Sequence, residues 1–373
     1  MKYYIIAGEA SGDLHASNLM KELKKIDPDA EFRCWGGDLM EQQGGVLVKH
    51  YRDLAFMGFI EVIANLSTIL KNIKLCKEEI LQYKPDAVIL VDYPGFNLRI
   101  AEFTHQQKLK TFYYISPQVW AWKKSRVYKI KKFVDRMFVI LPFEKAFYAR
   151  YDVDVDFVGH PLLDMINQLP ANDLETFRKR NSLEEDKPII SLLPGSRKQE
   201  IQKMLSIMLT VIPEFQDYQF VVAGAPSIEE DFYKKIIQDN SVRLVSGQTH
   251  ALLQNSFAAL VTSGTATLET ALFGVPEVVC YKGSYISYQI ARRVVDQNII
   301  KFISLVNLIM DREVVKELIQ DDLTTQNLRL ELKKIVVDDP YRNQIILDYK
   351  SLTKKLGGSG ASAKTAELIL DLV

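Results

Sequence analysis

The chain has 373 residues, 47% of them hydrophobic and 25% charged, with a mean hydropathy of -0.05. These values describe a soluble globular protein of about two domains and exclude a disordered chain or one integral to a membrane. Lys and Arg total 47 against 47 Asp and Glu, so the overall charge points to no nucleic acid or other polyanion as partner. Cys34, Cys76 and Cys280 lie far apart and outside any CxxC spacing, which reads as free thiols in a reducing compartment and suggests no metal site. The opening MKYYIIAGEASGD has too short an apolar run for a secretory signal, so the cytoplasm is the expected location.

In chain order, Lys2 to Ala7 reads as a strand, and Gly8, Ser11, Gly12 and Asp13 mark a small-residue loop that opens a helix ending near Lys25. The loop is a candidate phosphate site, without the three-glycine dinucleotide spacing or a Walker lysine. Glu31 to Trp35 is a second strand, and Gly36-Gly37 and Gly44-Gly45 are breaks. Leu54 to Leu70 carries one charge, Glu61, and is too short and interrupted to span a membrane. It reads either as a core helix or as apolar surface that meets lipid through Phe56, Met57 and Phe59. Lys71, Lys74 and Lys77 follow at once and favour anionic lipid.

Ala87 to Val91 is an apolar strand ending at Asp92-Tyr93-Pro94-Gly95. Open α/β sheets place ligands at the carboxyl ends of parallel strands, so Asp92 is either a general base or the former of an Asx turn. Thr111 to Ile115 is another strand. Trp120 and Trp122 then precede a run whose bases include Lys123, Lys124, Lys129 and Lys132, opposed by Asp135 alone. This is a basic amphipathic helix that rests on anionic membrane or holds a phosphorylated partner, or else a solvated face. Strands at Met137 to Leu141 and Val155 to Val158 close a first domain, and His160 leaves it facing a ligand or satisfied within the structure. The expected boundaries are 1–165, 166–345 and a helical tail at 346–373.

In the second domain, Pro188 to Leu193 is a buried strand ending at Pro194-Gly195. Ser196 is the expected N-cap and Gln199 its capping-box partner, with a helix from about Arg197 toward Thr210. A strand, glycine turn and helix start make an anion site, and the fork of Arg197 suits a diphosphate. Strands at 219–222 and 242–245 and helices at 229–238 and 249–255 lead to a strand at 257–261, where the device recurs as Ser263, Gly264 and Thr265. Glu269 stands about a turn further on, placed to accept ribose hydroxyls. Two such turns in one domain point to a nucleotide. After a strand at 277–281, Asn307 adds an amide contact, 311–320 reads as helix, and 361–372 is the last helix. Strands separated by helices throughout predict the α/β class with parallel sheets.

GEASGD at 8–13, DYPGFN at 92–97, SPQVWAW at 116–122, LPFEKAFY at 141–148, VGHP at 158–161, LPGSR at 193–197 and SGTATLE at 263–269 occur in this order. Together they resemble the lipid-A-disaccharide synthases over about residues 3 to 320. The resemblance implies a GT-B glycosyltransferase, two Rossmann-like domains facing a cleft with the sugar nucleotide mainly on the second. It implies condensation of UDP-2,3-diacylglucosamine with 2,3-diacylglucosamine 1-phosphate to a β(1→6) disaccharide and UDP. Asp92 would be the base and Arg197 would hold charge on the leaving UDP, with no metal or cofactor. Both substrates are acylated, which fits a cytoplasmic protein peripherally bound to the anionic inner-membrane surface. His15 stands where members of that family often carry an apolar residue and receives no role. The rival readings are another UDP-GlcNAc-type transferase or epimerase of the same fold, and a non-catalytic membrane-surface module. The oligomeric state is left open.

Overall fold

The computed structural model describes residues 1–54, 66–120, 125–170, 173–238, 241–283 and 301–373. They form two compact units, Met1–Asp164 with Leu356–Val373, and Met165–Lys355.

The first unit is built on seven parallel strands: β1 (Lys2–Ala7), β2 (Glu31–Gly36), β3 (Gly45–His50), β4 (Ala87–Val91), β5 (Lys110–Tyr114), β6 (Arg136–Val139) and β7 (Asp156–Phe157). Their order is β3-β2-β1-β4-β5-β6-β7. All five residues of β4 are buried, as a strand covered by helices on both faces requires. From β1 the chain adds β2 and β3 on one side, then returns to place β4 on the other. β1 and β4 pair from Tyr3↔Ala87 to Ala7↔Val91, so Gly8 and Asp92 leave the sheet side by side. The strand β3 was not expected; it follows the Gly44-Gly45 break at the sheet edge, where Val46 is exposed.

The second unit repeats the plan with β8 (Ile189–Leu193), β9 (Gln219–Gly224), β10 (Arg243–Ser246), β11 (Ser256–Thr262), β12 (Glu277–Tyr281) and β13 (Lys316–Ile319). The order is β10-β9-β8-β11-β12-β13, again all parallel. Here 311–320 departs from the expected helix. Asp311 adopts φ +54° and ends the helix Leu305–Met310, and residues 316–319 pair with β12 as an edge strand. Pairing buries Leu318 beside Val314 and Val315, a tertiary gain that outweighs the local helical pattern.

The tail also divides later than expected. Helix Asp339–Lys355 belongs to the second unit, and only the last residues join the first. Helix Ala361–Leu370 packs on helix Ala10–Ile26, placing Ala366 and Ile369 in one core cluster with Ala16, Leu19 and Leu23. The carboxylate of Asp164 accepts N–H groups from Gly360 and from Ser362, the latter at 3.2 Å, and so caps that helix. Among the described residues no helix is long and apolar enough to cross a membrane. Ile369→Ala should cost the first unit about 2–4 kcal/mol through lost burial and a cavity. A denaturant midpoint equal to the wild type would show that the tail adds nothing to that core.

Candidate active site

In each sheet the strand order reverses beside the first strand, between β1 and β4 in one unit and between β8 and β11 in the other. Loops diverge at such a switch point and leave a crevice outside the carboxyl ends of the strands.

In the second unit, the chain turns out of β8 at Gly195 with φ +105°, where a Cβ would lie 2.2 Å from Glu200 Oε2. Only glycine fits this turn. The N-cap of helix Lys198–Leu209 is Arg197 rather than Ser196, and the residue that reaches back is Glu200 rather than Gln199, accepting the Ser196 N–H at 3.1 Å. A carboxylate there also meets the helix dipole favourably, which an amide does not. β11 ends at Thr262, and helix Thr265–Leu272 starts from Gly264, while the Ser263 hydroxyl donates to the Ile303 carbonyl at 3.2 Å. Gly195, Ser196, Ser263, Gly264, Thr265 and Glu269 all line one cavity of about 250 Å³. A cavity of about 600 Å³ adjoins it and shares Pro226, Thr249 and Glu269. Glu269 Oε1 stands 4.0 Å from His250 Nε2, and the His250 ring stacks on Phe273 with centroids 5.8 Å apart. Arg197 is exposed at its helix start. Helix N-termini at one end and a carboxylate at the other suit a ligand with a phosphate and hydroxyls.

In the first unit, Asp92 and Tyr93 both adopt left-handed backbone, at φ +43° and +47°. Two such residues in succession are strained, and the surrounding contacts hold them. The Asn97 amide donates to the Asp92 carbonyl at 2.7 Å and to the Val91 carbonyl at 3.2 Å, and the Tyr113 hydroxyl donates to the same Asp92 carbonyl. The Tyr93 ring covers Gly8 so closely that a Cβ there would lie 2.4 Å from it. Burial raises the Asp92 carboxyl to about 6, and the charge of Glu9 adds to the rise. The Tyr93 N–H and the Arg126 guanidinium act in the opposite direction. Ser11 is exposed in the first turn of helix Ala10–Ile26, while Gly12 is buried, its ideal Cβ only 3.2 Å from that of Ala7.

Several expected site residues serve the fold instead. The Asp13 carboxylate, 3% exposed, accepts N–H groups of Gly37, Leu39 and Met40 at 2.8–3.2 Å and caps helix Asp38–Gln42, so it does not face a ligand. His160 Nδ1 accepts the Leu162 N–H at 3.2 Å, and burial beside His15 holds its pKa down to about 3, so the structural alternative applies. Asn307 is fully buried, its amide engaged by Val314, Val315 and Glu317. Trp120, expected at a lipid face, is buried edge-on against Phe143 at 5.0 Å, because its indole packs on helix Pro142–Ala149. Lys129 and Lys132 are exposed on helix Arg126–Phe133, as is Tyr128 at 63%. Phe56, Met57, Phe59, Trp122, Lys123 and Lys124 lie outside the described residues.

Sequence reasoning missed Glu9, Asn97 and Glu144. Glu144 is 1% exposed, accepts the Leu141 N–H at 2.9 Å, and has its carboxyl raised to about 8, chiefly by burial. Its signal was present in LPFE, where a proline at the first helical position and an acid two residues later form a capping pattern.

A family profile described as Lipid-A-disaccharide synthetase matches residues 3–370. The lipid-A-disaccharide synthase of Syntrophus aciditrophicus is 40% identical over 376 residues, covering 99% of this chain and 97% of that protein. That of Myxococcus xanthus is 37% identical with the same coverage. The chain belongs to the lipid-A-disaccharide synthase family. It is therefore a glycosyltransferase that forms the lipid A disaccharide, and neither an epimerase nor a non-catalytic module. Solved structures agree on the fold. The UDP-GlcNAc 2-epimerase from Neisseria meningitidis, solved with UDP-GlcNAc, superposes with a TM-score of 0.69 over all of both chains at 14% identity. The glycotransferase of kitacinnamycin gives 0.66 over 99% of this chain and 98% of its own, at 13% identity. Both units are thus Rossmann-like layers of the GT-B fold.

Because Asp13 ties three backbone N–H groups to helix Ala10–Ile26, Asp13→Ala should destabilise the first unit by about 1–3 kcal/mol. UDP affinity should not change. Loss of UDP binding with a normal melting temperature would return Asp13 to the ligand.

Proposed function

We propose that Asp92 is the general base of the reaction and that the second unit's cavity holds the UDP-sugar donor. The observation that carries this reading is the placement of both at the switch points of their sheets, one as a carboxyl with a raised pKa and the other as a cavity lined by two helix starts. The donor is UDP-2,3-diacylglucosamine and the acceptor 2,3-diacylglucosamine 1-phosphate. Asp92 takes the proton of the acceptor 6-hydroxyl as its oxygen bonds to the donor C1. The C1–O bond to UDP breaks in the same step, and the configuration inverts to β. Charge developing on the departing diphosphate is held by Arg197 and the N–H groups that open helices Lys198–Leu209 and Thr265–Leu272. Gly8, beside Asp92, and Ser11, exposed in the helix turn that follows, contact the acceptor, while Glu269 accepts hydroxyls of the ribose.

A base with a pKa of about 6 predicts turnover that rises with pH through 6 to a plateau. Asp92→Asn keeps a residue that tolerates left-handed backbone but cannot accept the proton. Its turnover should fall roughly 10²- to 10⁴-fold with UDP affinity unchanged. Burial disfavours the charged carboxylate, so the stability Asp92 contributes is greatest at low pH and lost as pH rises through about 6. The variant should therefore melt no lower than wild type at pH 8. Near-normal turnover would assign the base elsewhere.

We also propose that the chain rests on anionic membrane through helix Arg126–Phe133, which exposes Lys129, Lys132 and Tyr128 together. Lys129 stands 3.8 Å from Glu102, and Lys132 lies over the Phe133 ring at 5.3 Å, so neither charge is buried by its neighbour. Replacing both lysines by Gln should weaken binding to vesicles with anionic lipid by about 1 kcal/mol per charge, and high salt should do the same to wild type. Equal co-sedimentation of the two proteins would give the lysines another purpose.

A further inference from the structure

The spacing of DYPGFN puts Asn97 five residues after Asp92, and Pro94 opens helix Pro94–Gln106 between them, so the chain doubles back and sets Asn97 against the end of β4. There one residue holds three successive carbonyls. The Asn97 side-chain amide donates to Val91 at 3.2 Å and to Asp92 at 2.7 Å, while its backbone N–H donates to Tyr93 at 3.0 Å. The same amide reaches the Ile6 carbonyl on β1 at 3.5 Å, so it straddles the switch point between β1 and β4. From β5, the Tyr113 hydroxyl makes a second bond to the Asp92 carbonyl, and the Tyr114 carbonyl accepts the Asp92 N–H at 3.1 Å. Asn97 and Tyr113 are both fully buried, so the bonds they make are shielded from water.

Asp92 is thus tied through both its N–H and its carbonyl. Holding both fixes its φ and ψ, and with them the direction in which the Cα–Cβ bond leaves the chain. Freed of those ties, a residue at φ +43° followed by another at +47° relaxes toward the ordinary backbone regions and swings its side chain elsewhere. We infer that Asn97, assisted by Tyr113, is a positioning residue for Asp92: it locks the left-handed turn and so holds the half-buried carboxyl in one direction, without touching substrate. This rests on the reading of Asp92 as base. A base must stand within hydrogen-bond reach of the hydroxyl it deprotonates, so a carboxylate displaced by about 1 Å slows turnover while the substrates still bind.

Turnover measured in two backgrounds separates positioning from simple support of the fold. Asn97→Ala should lower kcat roughly 10- to 100-fold, with KM for both substrates and UDP affinity changed less than about 2-fold. Because Asn97 acts through Asp92, adding Asn97→Ala to Asp92→Asn should cost less than about 3-fold more, whereas a residue that supports the enzyme independently loses the same factor in both backgrounds. Tyr113→Phe removes one of the two bonds to the Asp92 carbonyl and keeps the ring. It should lower kcat about 3- to 10-fold, again only where Asp92 is present. Either role lowers the melting temperature of Asn97→Ala, so rates are compared well below it. Should Asn97→Ala fail to fold, Tyr113→Phe in the two backgrounds decides alone. Wild-type kcat in a folded Asn97→Ala enzyme, an equal loss in both backgrounds, or a rise in KM that accounts for the whole effect overturns the proposal. If Asp92→Asn itself turns over normally, it is the base reading that fails, and this inference falls with it.

Discussion

A parallel sheet whose order reverses beside its first strand cannot close its own edge there. The crossovers on either side of β1 leave in opposite directions, so the loops after β1 and β4 part and leave backbone N–H groups and side chains facing outward. β8 and β11 repeat this in the second unit. Every residue proposed for chemistry or donor binding depends on that constraint, because it brings together segments 84 residues apart in the first unit (Ala7 and Val91) and 68 apart in the second (Leu193 and Val261) through strand pairing alone.

The two switch points are used differently. In the second unit the turns after β8 and β11 keep small residues, and the helices start close enough to enclose a cavity. In the first, the chain after β4 is bulky, with Tyr93 lying over Gly8, and the left-handed turn is tied down by Asn97 and Tyr113. The small residues favour binding of anionic groups by backbone. The crowded, tied turn favours a single carboxyl partly withdrawn from solvent, with its charge disfavoured by burial and by Glu9.

Stability and chemistry meet in the buried acids of the first unit. Asp13 and Asp164 each cap a helix through backbone N–H groups, so their charge is compensated within the fold. The carboxyls of Asp92 and Glu144 are both raised, chiefly by burial. The difference lies in what each carboxylate meets: Asp13 binds three backbone N–H groups and Asp164 two, whereas burial outweighs the donors around Asp92 and Glu144.

Periodicity and turn chemistry by themselves determined the parallel α/β class, both glycine turns of the second unit and the acid after β4, because each is a local pattern: an apolar run, then a residue that the turn requires. The spacing of SGTATLE likewise announced Glu269 one turn into its helix. What local pattern left open was which polar side chains face outward. Asp13, His160 and Asn307 have the residue types of a ligand site, yet Asp13 binds N–H groups of a distant segment that only folding brings near, Asn307 those of the connection that follows its helix, and His160 the N–H two residues on, in a turn that the fold buries. Trp120 stands in a motif beside lysines, but Phe143 from a later helix covers it. The edge strand β13 and the tail helix were settled the same way, since an isolated KELI or ASAKTAELIL has no partner until β12 or helix Ala10–Ile26 is in place. Contacts between distant segments decide burial, and burial decides whether a polar group serves the fold or the ligand.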